Sequence, residues 1–324
     1  MSTLRVVRLG FASLCAALVA AAPLGIARAD SLDVTPSRPA WTKMVGTLRV
    51  ERYGNGSPAL VLIPGLACGS WTWRETIAHE SSKHAVYAVT LAGFDGVAYA
   101  PDASLDSADA SLQTLITDEK LNRPIIVGHS LGGFLALRFG TEHAAELGGV
   151  VSVDGLPVIP SMAQLSSDAR TAAADRFAST VTSQSADAFA AGEAKAIADY
   201  VTDPATTRKV TALALRSDQR AVAVYGKELY ASDLRGSLAS LTVRTELLAP
   251  VPTPPLPTYL PPQMASLTQE QRRAGTLQFY QSLTAGAPNL TVVPIDASRH
   301  FIMLDRPADF ANALDAFISA TPAT

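Results

Sequence analysis

Cysteine is scarce in this chain of 324 residues, which has two, Cys15 and Cys68. Cys15 lies in an N-terminal segment that we expect to be removed, and the chain that remains cannot form an intramolecular disulfide. The chain also lacks the motifs H-E-x-x-H and C-x-x-C, a phosphate-binding loop and a G-x-G-x-x-G after a strand. These absences speak against zinc-peptidase, dithiol and nucleotide chemistry, and we expect neither a metal nor a cofactor.

Charge of one sign is not concentrated anywhere along the chain. The whole chain has 26 Lys and Arg against 29 Asp and Glu, a net charge of −3. Without Arg5, Arg8 and Arg28 of the N-terminal segment, 23 basic residues face 29 acidic ones. We expect no nucleic-acid partner, because there is no basic stripe, and a mildly acidic surface favours solubility.

The long apolar run of this chain is at its N-terminus. Two arginines precede an apolar stretch over 9–22, and Ala27-Arg28-Ala29 fits a cleavage site of the A-x-A kind. The pattern predicts a signal peptide over 1–29 and an exported protein, periplasmic or secreted. The run is short for a membrane span and no second one follows, so we expect no stable membrane insertion after cleavage. A retained anchor is the alternative.

Apolar runs of strand length alternate with helical patterns in the first half of the chain. This alternation predicts an α/β fold with a mostly parallel central sheet and helices on both faces. Residues 155–240 have helical spacing without strong strands, which predicts an inserted helical cap between two parts of the core, 30–154 and 241–324. A proline-dense segment over 250–262 predicts a stiff surface loop. The predicted strands are 44–52, 59–63, 85–90, 125–127, 150–153, 241–248 and 290–295, and the predicted core helices are 73–80, 104–122, 134–145, 269–285 and 308–320.

The most informative stretch is Gly128-His129-Ser130-Leu131-Gly132, between a strand-like and a helix-like run. A serine on a sharp strand-to-helix turn needs small neighbours, because the backbone there is strained and closely packed. The turn exposes the hydroxyl above the sheet, at the N-terminus of a helix. The pattern predicts that Ser130 is a nucleophile, and the alternative is a glycine-rich turn that happens to hold a serine.

A nucleophilic serine needs a base within hydrogen-bond reach, and the base needs a third group that fixes its tautomer. His300 follows the last predicted strand and precedes the last helix. Loops at the carboxyl ends of parallel strands converge on one face, so His300 and Ser130 are expected to meet there. His129 is expected to point away from the serine hydroxyl, and the other three histidines are expected to have solvated or structural roles.

In order and spacing, these motifs resemble an α/β-hydrolase of the serine-esterase type over roughly residues 45–320. Leu62-Ile63-Pro64-Gly65-Leu66 resembles the family's H-G-x turn after the third strand, and Ser298–Met303 resembles its G-H-F segment. The resemblance implies Ser130 as the nucleophile and His300 as the base. It also implies an oxyanion hole made by the backbone N–H groups of Leu66 and Leu131.

The acid is the point at which this chain departs from the family. The family's acid usually follows the seventh strand, but no Asp or Glu occurs over 249–268. Asp154, directly after the predicted strand 150–153, is the substitute, as in some lipases and dehalogenases of the superfamily. Glu246 and Asp296 are the alternatives, and a capping or turn role is the other interpretation of Asp154.

Trp71, Phe94 and Met162 are candidate walls of a substrate pocket, although ordinary packing would explain each of them. The whole pattern favours a serine hydrolase that cleaves a small or medium carboxylic ester. The same residues would serve an amidase, a lactonase or an acyltransferase. A ligand-binding protein on the same scaffold is the alternative from another class, and an acidic residue within hydrogen-bond reach of His300 would argue against it.

Overall fold

The computed structural model describes residues 32–321, so the predicted signal peptide lies outside the described residues. No helix within 32–321 is both long enough and apolar enough to cross a membrane. The strands are β1 (Trp41–Val45), β2 (Leu48–Tyr53), β3 (Leu60–Ile63), β4 (Val86–Leu91), β5 (Ile125–His129), β6 (Gly149–Val153), β7 (Thr245–Val251) and β8 (Leu290–Asp296).

These strands form one sheet in the order β1-β2-β4-β3-β5-β6-β7-β8. The first two strands pair antiparallel, and β3 to β8 are parallel to one another. Strands β3 to β6 are buried along their whole length, which explains why Val, Ile and Leu predominate in them. The predicted α/β fold with a mostly parallel sheet is confirmed. The single strand predicted over 44–52 is wrong, because the chain reverses at Gly46, whose φ is +53°, and forms a hairpin of two strands.

Helices connect the parallel strands, and four of them, α4 to α7, lie between β6 and β7 in the chain, where a helical cap was predicted. The exact limits of that cap, 155 and 240, stay a prediction. The helices are α1 (Arg74–Glu80), α2 (Leu105–Asp118), α3 (Leu131–His143), α4 (Ser167–Ser183), α5 (Ala186–Tyr200), α6 (Pro204–Ala214), α7 (Gln219–Ala231), α8 (Gln269–Thr284), α9 (Ile302–Asp305) and α10 (Pro307–Ser319).

The register of the sheet brings the ends of neighbouring strands together. His129 at the end of β5 lies opposite Val153 at the end of β6, so Ser130 and Asp154 leave the sheet side by side. Both residues have positive φ angles, +54° and +48°, which non-glycine residues adopt where the chain turns sharply. The loop after β8 reaches the same edge of the sheet and carries His300.

Candidate active site

Ser130 lies at a sharp turn between β5 and α3, with φ +54° and ψ −117°. Its N–H donates to the carbonyl of Val153 at 3.0 Å, which fixes the turn to the neighbouring strand. Ser130 is partly exposed, whereas both of its neighbours in the chain are buried. Ser130 therefore lies at the edge of the sheet with part of its surface open to solvent.

Three glycines allow this turn to pack so closely. A Cβ atom on Gly128 would lie 2.0 Å from the carbonyl oxygen of Gly132. On Gly132 it would lie 2.3 Å from the oxygen of Ile63, and on Gly133 it would lie 2.6 Å from Oγ of Ser152. Each of these distances is far below van der Waals contact, so the geometry of the turn requires residues without side chains at these positions.

His300 and Asp154 are brought into direct contact. Nδ1 of His300 lies 2.6 Å from Oδ2 of Asp154, and the two side chains are 18% and 10% exposed. Nδ1–H donates to the carboxylate, so Nε2 is left with its lone pair free to accept a proton. Within residues 32–321, neither Nε2 of His300 nor the hydroxyl of Ser130 forms a hydrogen bond with another group.

The other oxygen of Asp154 accepts a hydrogen bond from the hydroxyl of Tyr280 on α8. Tyr280 is buried, and its burial together with the charge of Asp154 raises the pKa of its phenol well above the ordinary value. The raised pKa favours the protonated phenol, which is the form that donates to Asp154. With one donor on each carboxylate oxygen, Asp154 is held in a single orientation toward His300.

The ring of His300 is enclosed by other rings. Its centroid lies 4.7 Å from that of His129 and 4.8 Å from that of Tyr200, at the end of α5. The N–H of Phe301 donates to the carbonyl of Tyr200 at 3.1 Å. The loop that carries His300 is thus attached to the last residue of α5, and the two parts of the chain position each other.

The proline-dense segment contacts the same end of α5. The N–H of Thr258 donates to a carboxylate oxygen of Asp199 at 3.0 Å, and the ring of Tyr259 lies 6.0 Å from that of Tyr200. The guanidinium of Arg299, beside His300, donates to the carbonyl of Pro255 at 2.7 Å. This segment therefore connects the histidine loop to α5.

His129 has a structural position. Its Nε2–H donates to the backbone carbonyl of His300 at 3.1 Å, and it is 1% exposed. Burial and the charge of His300 hold the pKa of His129 well below its usual range, so its imidazole is neutral. A neutral donor fixed to the histidine loop keeps that loop beside the Ser130 turn.

The turn after β3 lies against the serine. A Cβ atom on Gly65 would lie 3.2 Å from Cβ of Ser130, so the turn at Gly65 packs directly against the serine. Among the residues that the structure describes, the N–H groups of Leu66 and Leu131 donate to no protein acceptor. Two unused donors beside a serine have the chemistry that a developing oxyanion requires.

The alternative acids lie elsewhere. Glu246 is the second residue of β7, near the opposite end of the sheet, and pairs with Arg244 at 3.0 Å. Asp296 pairs with Arg273 and accepts a hydrogen bond from Gln269 at 3.0 Å. The structure brings neither of them into contact with His300.

The three candidate pocket residues are buried within packed clusters. Trp71 and Phe94 belong to the main core, where Phe94 lies 5.2 Å from the ring of Tyr225 on α7. Met162 packs with Leu283 in a smaller cluster. The indole N–H of Trp71 is buried and has no acceptor within the described part of the chain. Their role as pocket walls stays a prediction.

The sequence analysis missed the two tyrosines that surround Asp154 and His300. Tyr280 and Tyr200 come from helices far along the chain, and neither is part of a local motif. Within residues 32–321, two clusters each offer three potential metal-ligating side chains, and neither cluster includes a residue of this site. One consists of His79, Glu80 and Asp315, and the other of Asp109, Glu142 and His143.

Comparison with known proteins gives matches over most of the chain. The model of the alpha/beta hydrolase family matches residues 60–313. An uncharacterized protein of Mycobacterium tuberculosis is 31% identical over 112 residues, which are 34% of this chain and 33% of that protein. Lipase LipV of the same organism is 28% identical over 112 residues, 34% of this chain and 42% of LipV. The chain thus spans about a third of the length of the first curated relatives that it matches.

Solved structures resemble the chain over a longer stretch. A thermophilic esterase from Thermogutta terrifontis has a TM-score of 0.66 at 17% identity, covering 88% of this chain and 100% of that one. A hydrolase from Pseudomonas aeruginosa has the same TM-score at 16% identity, covering 87% and 99%. At such low identity the likeness concerns the fold.

Proposed function

The chain belongs to the alpha/beta hydrolase family, and from that premise we propose that it is a serine hydrolase that cleaves a carboxylic ester of small or medium size. The contact between Nδ1 of His300 and the Asp154 carboxylate, at 2.6 Å, carries the proposal. It supplies the oriented base that an exposed serine on a strained turn needs. It also argues against a ligand-binding protein that has lost its acid.

In the proposed reaction, the hydroxyl oxygen of Ser130 attacks the ester carbonyl while its proton passes to Nε2 of His300. Asp154 keeps the Nδ1–H tautomer and stabilises the imidazolium that forms. The tetrahedral intermediate collapses, the C–O bond to the alcohol breaks, and His300 returns the proton to the leaving alkoxide. The acyl group is left on Ser130.

Water completes the cycle by the same route. His300 accepts a proton from water, the resulting hydroxide attacks the acyl-enzyme, and the proton passes back to Ser130 as the acid leaves. The N–H groups of Leu66 and Leu131 would hold the oxyanion in both steps. Loss of one such donor typically costs a factor of about 10²–10³ in turnover.

The test is turnover of p-nitrophenyl esters over a range of acyl lengths, with Ser130→Ala as the control. We expect turnover by the wild type, with a preferred acyl length, and none by folded Ser130→Ala above the rate of the free ester. A folded protein without turnover, or turnover that survives the loss of Ser130, would overturn the proposal. Parallel assays with amides, lactones and an alcohol acceptor show which acyl transfer the enzyme prefers.

We also propose that the protein is exported. The support is the pattern of two arginines, an apolar stretch and Ala27-Arg28-Ala29. Cell fractionation with N-terminal sequencing should find the protein outside the cytoplasm and beginning at Asp30. An intact N-terminus in the cytoplasmic fraction would contradict this proposal and leave the chemistry unaffected.

A further inference from the structure

One carboxylate of the helical segment lies on a face that is otherwise apolar. Glu193 is on α5, four residues from Phe189, four from Ile197 and seven from Tyr200. Residues at these spacings share one face of a helix, and on α5 Glu193 lies between Phe189 and Ile197 on that face. Phe189 and Ile197 are buried, and Tyr200 packs against the ring of His300. The face of α5 that includes Glu193 is thus the face that reaches the candidate active site.

Glu193 is also within electrostatic range of the turn that follows β3. Cys68 belongs to that turn and its N–H donates to the carbonyl of Gly65, the residue packed against Ser130. Burial raises the pKa of the Cys68 thiol, and the negative charge of Glu193 raises it further. Burial likewise raises the pKa of Tyr200 to about 12, and Glu193 is among the charges that add to this effect. The carboxylate is therefore within electrostatic range of both Cys68 and Tyr200, and by helical spacing it shares the face of α5 that carries Tyr200.

Nothing in the described residues neutralises this carboxylate. Within 32–321, Glu193 has neither an ion pair nor a hydrogen bond, and burial raises its pKa. Arg299, the basic residue beside His300, donates its guanidinium to the carbonyls of Ala198, Val201 and Pro255 at 2.9, 3.2 and 2.7 Å. A half-buried carboxylate without a partner is unfavourable, and a bound cation would relieve that cost.

We propose that Glu193 is a specificity residue that recognises a positively charged nitrogen on the ester substrate. This inference rests on the proposed ester hydrolysis and names its substrate class: esters of alcohols that carry a quaternary ammonium or protonated amine. The aromatic ring of Tyr200, on the same face and next to His300, offers the cation a second attractive surface. Glu193 acts on binding and takes no part in the bond-making steps.

The experiment compares two esters that differ only in charge. Butyrylcholine has a trimethylammonium group, and 3,3-dimethylbutyl butyrate has an uncharged tert-butyl group of the same shape. Acid release by the purified protein gives kcat/KM for each in a pH-stat. We expect the wild type to prefer butyrylcholine, and Glu193→Gln to lower the ratio of the two kcat/KM values about tenfold, which corresponds to about 1.4 kcal/mol. Glu193→Asp keeps the charge and should retain part of the preference.

Asp187→Asn is the matched control, because it removes the same charge from an exposed position in the first turn of α5. It should leave the ratio as in the wild type. Serine-dependent turnover of the neutral ester without a preference for the cation would overturn this inference alone. A preference that survives in Glu193→Gln would do the same. Absence of turnover on every ester would instead overturn the proposed function, and this inference with it.

Discussion

Asp154→Asn tests the proposed acid most directly, because the structure dictates how the new amide must orient. Tyr280 donates its hydroxyl to one oxygen of Asp154, so the amide oxygen of an asparagine would stay with Tyr280. The NH2 group would then face Nδ1 of His300, where the carboxylate oxygen lay at 2.6 Å. Such a donor forces His300 to carry its proton on Nε2, and the ring can no longer accept the proton of Ser130.

The expected effect is large and falls on the chemical step. In a serine protease, the same substitution lowers kcat about 10⁴-fold by fixing the wrong tautomer, which is about 5 kcal/mol of barrier. We expect a loss of that order in kcat here, with KM little changed, since Asp154 is buried behind the histidine. Removing the hydroxyl of Tyr280 as well should let the side-chain amide of the asparagine rotate by 180°, so that its oxygen faces Nδ1 of His300. Asp154→Asn with Tyr280→Phe should therefore be more active than Asp154→Asn alone.

Steady-state turnover of the best p-nitrophenyl ester gives both constants, and Glu246→Gln is the matched control. Glu246 pairs in register with Val151, three residues before Asp154, so it lies about 10 Å from the proposed acid along the direction of the strands. Replacing this carboxylate by an amide, in Glu246→Gln, should change kcat no more than about twofold. The reasoning is refuted if Asp154→Asn keeps kcat within about tenfold of the wild type, or if Glu246→Gln loses as much as Asp154→Asn.

Three further predictions concern Tyr280, the glycines and a buried acid. Tyr280→Phe removes one donor to a carboxylate and should lower ester kcat about tenfold. Gly132→Ala places a methyl group 2.3 Å from a backbone oxygen and should lower the unfolding temperature, whereas Gly192→Ala, in open space on α5, should gain about 0.5–1 kcal/mol in denaturant. Burial raises the pKa of Asp109 from 3.8 to about 6, so its ionisation opposes folding. Asp109→Asn should therefore raise the melting temperature above about pH 6, and the gain should vanish below about pH 3.8.

Each prediction has an outcome that contradicts it. Wild-type kcat in Tyr280→Phe would mean that the hydroxyl does not orient Asp154. Equal unfolding temperatures for Gly132→Ala and Gly192→Ala would mean that the serine turn can relax. A lower melting temperature for Asp109→Asn at pH 8 would mean that pairing with its basic neighbours outweighs the cost of burial.

The sequence predicted best what depends on neighbours in the chain. The strand, turn and helix around Ser130 lie within one short stretch, so their apolar runs and glycines specify them locally. The end of β7 was predicted at 248, but the strand continues to Val251. It passes through Pro250 because β6 pairs with β7 only as far as Leu248, and a missing N–H is tolerated beyond that point. Such exceptions depend on which strand lies alongside, which periodicity does not reveal.

The site itself could be predicted only in part for the same reason. Asp154 was singled out because no carboxylate follows β7, and the structure brings it to His300, although its catalytic role stays a prediction. Tyr280 lies 126 residues from Asp154 in the chain, and its hydroxyl reaches the carboxylate only after α8 has packed against the sheet. Long-range contacts of this kind leave no pattern in a single sequence.

Asp154, the acid that we propose, follows β6, so the proline-dense segment over 250–262 carries no residue of the proposed triad. Its contacts instead connect α5 to the histidine loop, through Asp199 and Arg299. A change in the length of the segment would therefore shift the loop that carries His300 relative to α5.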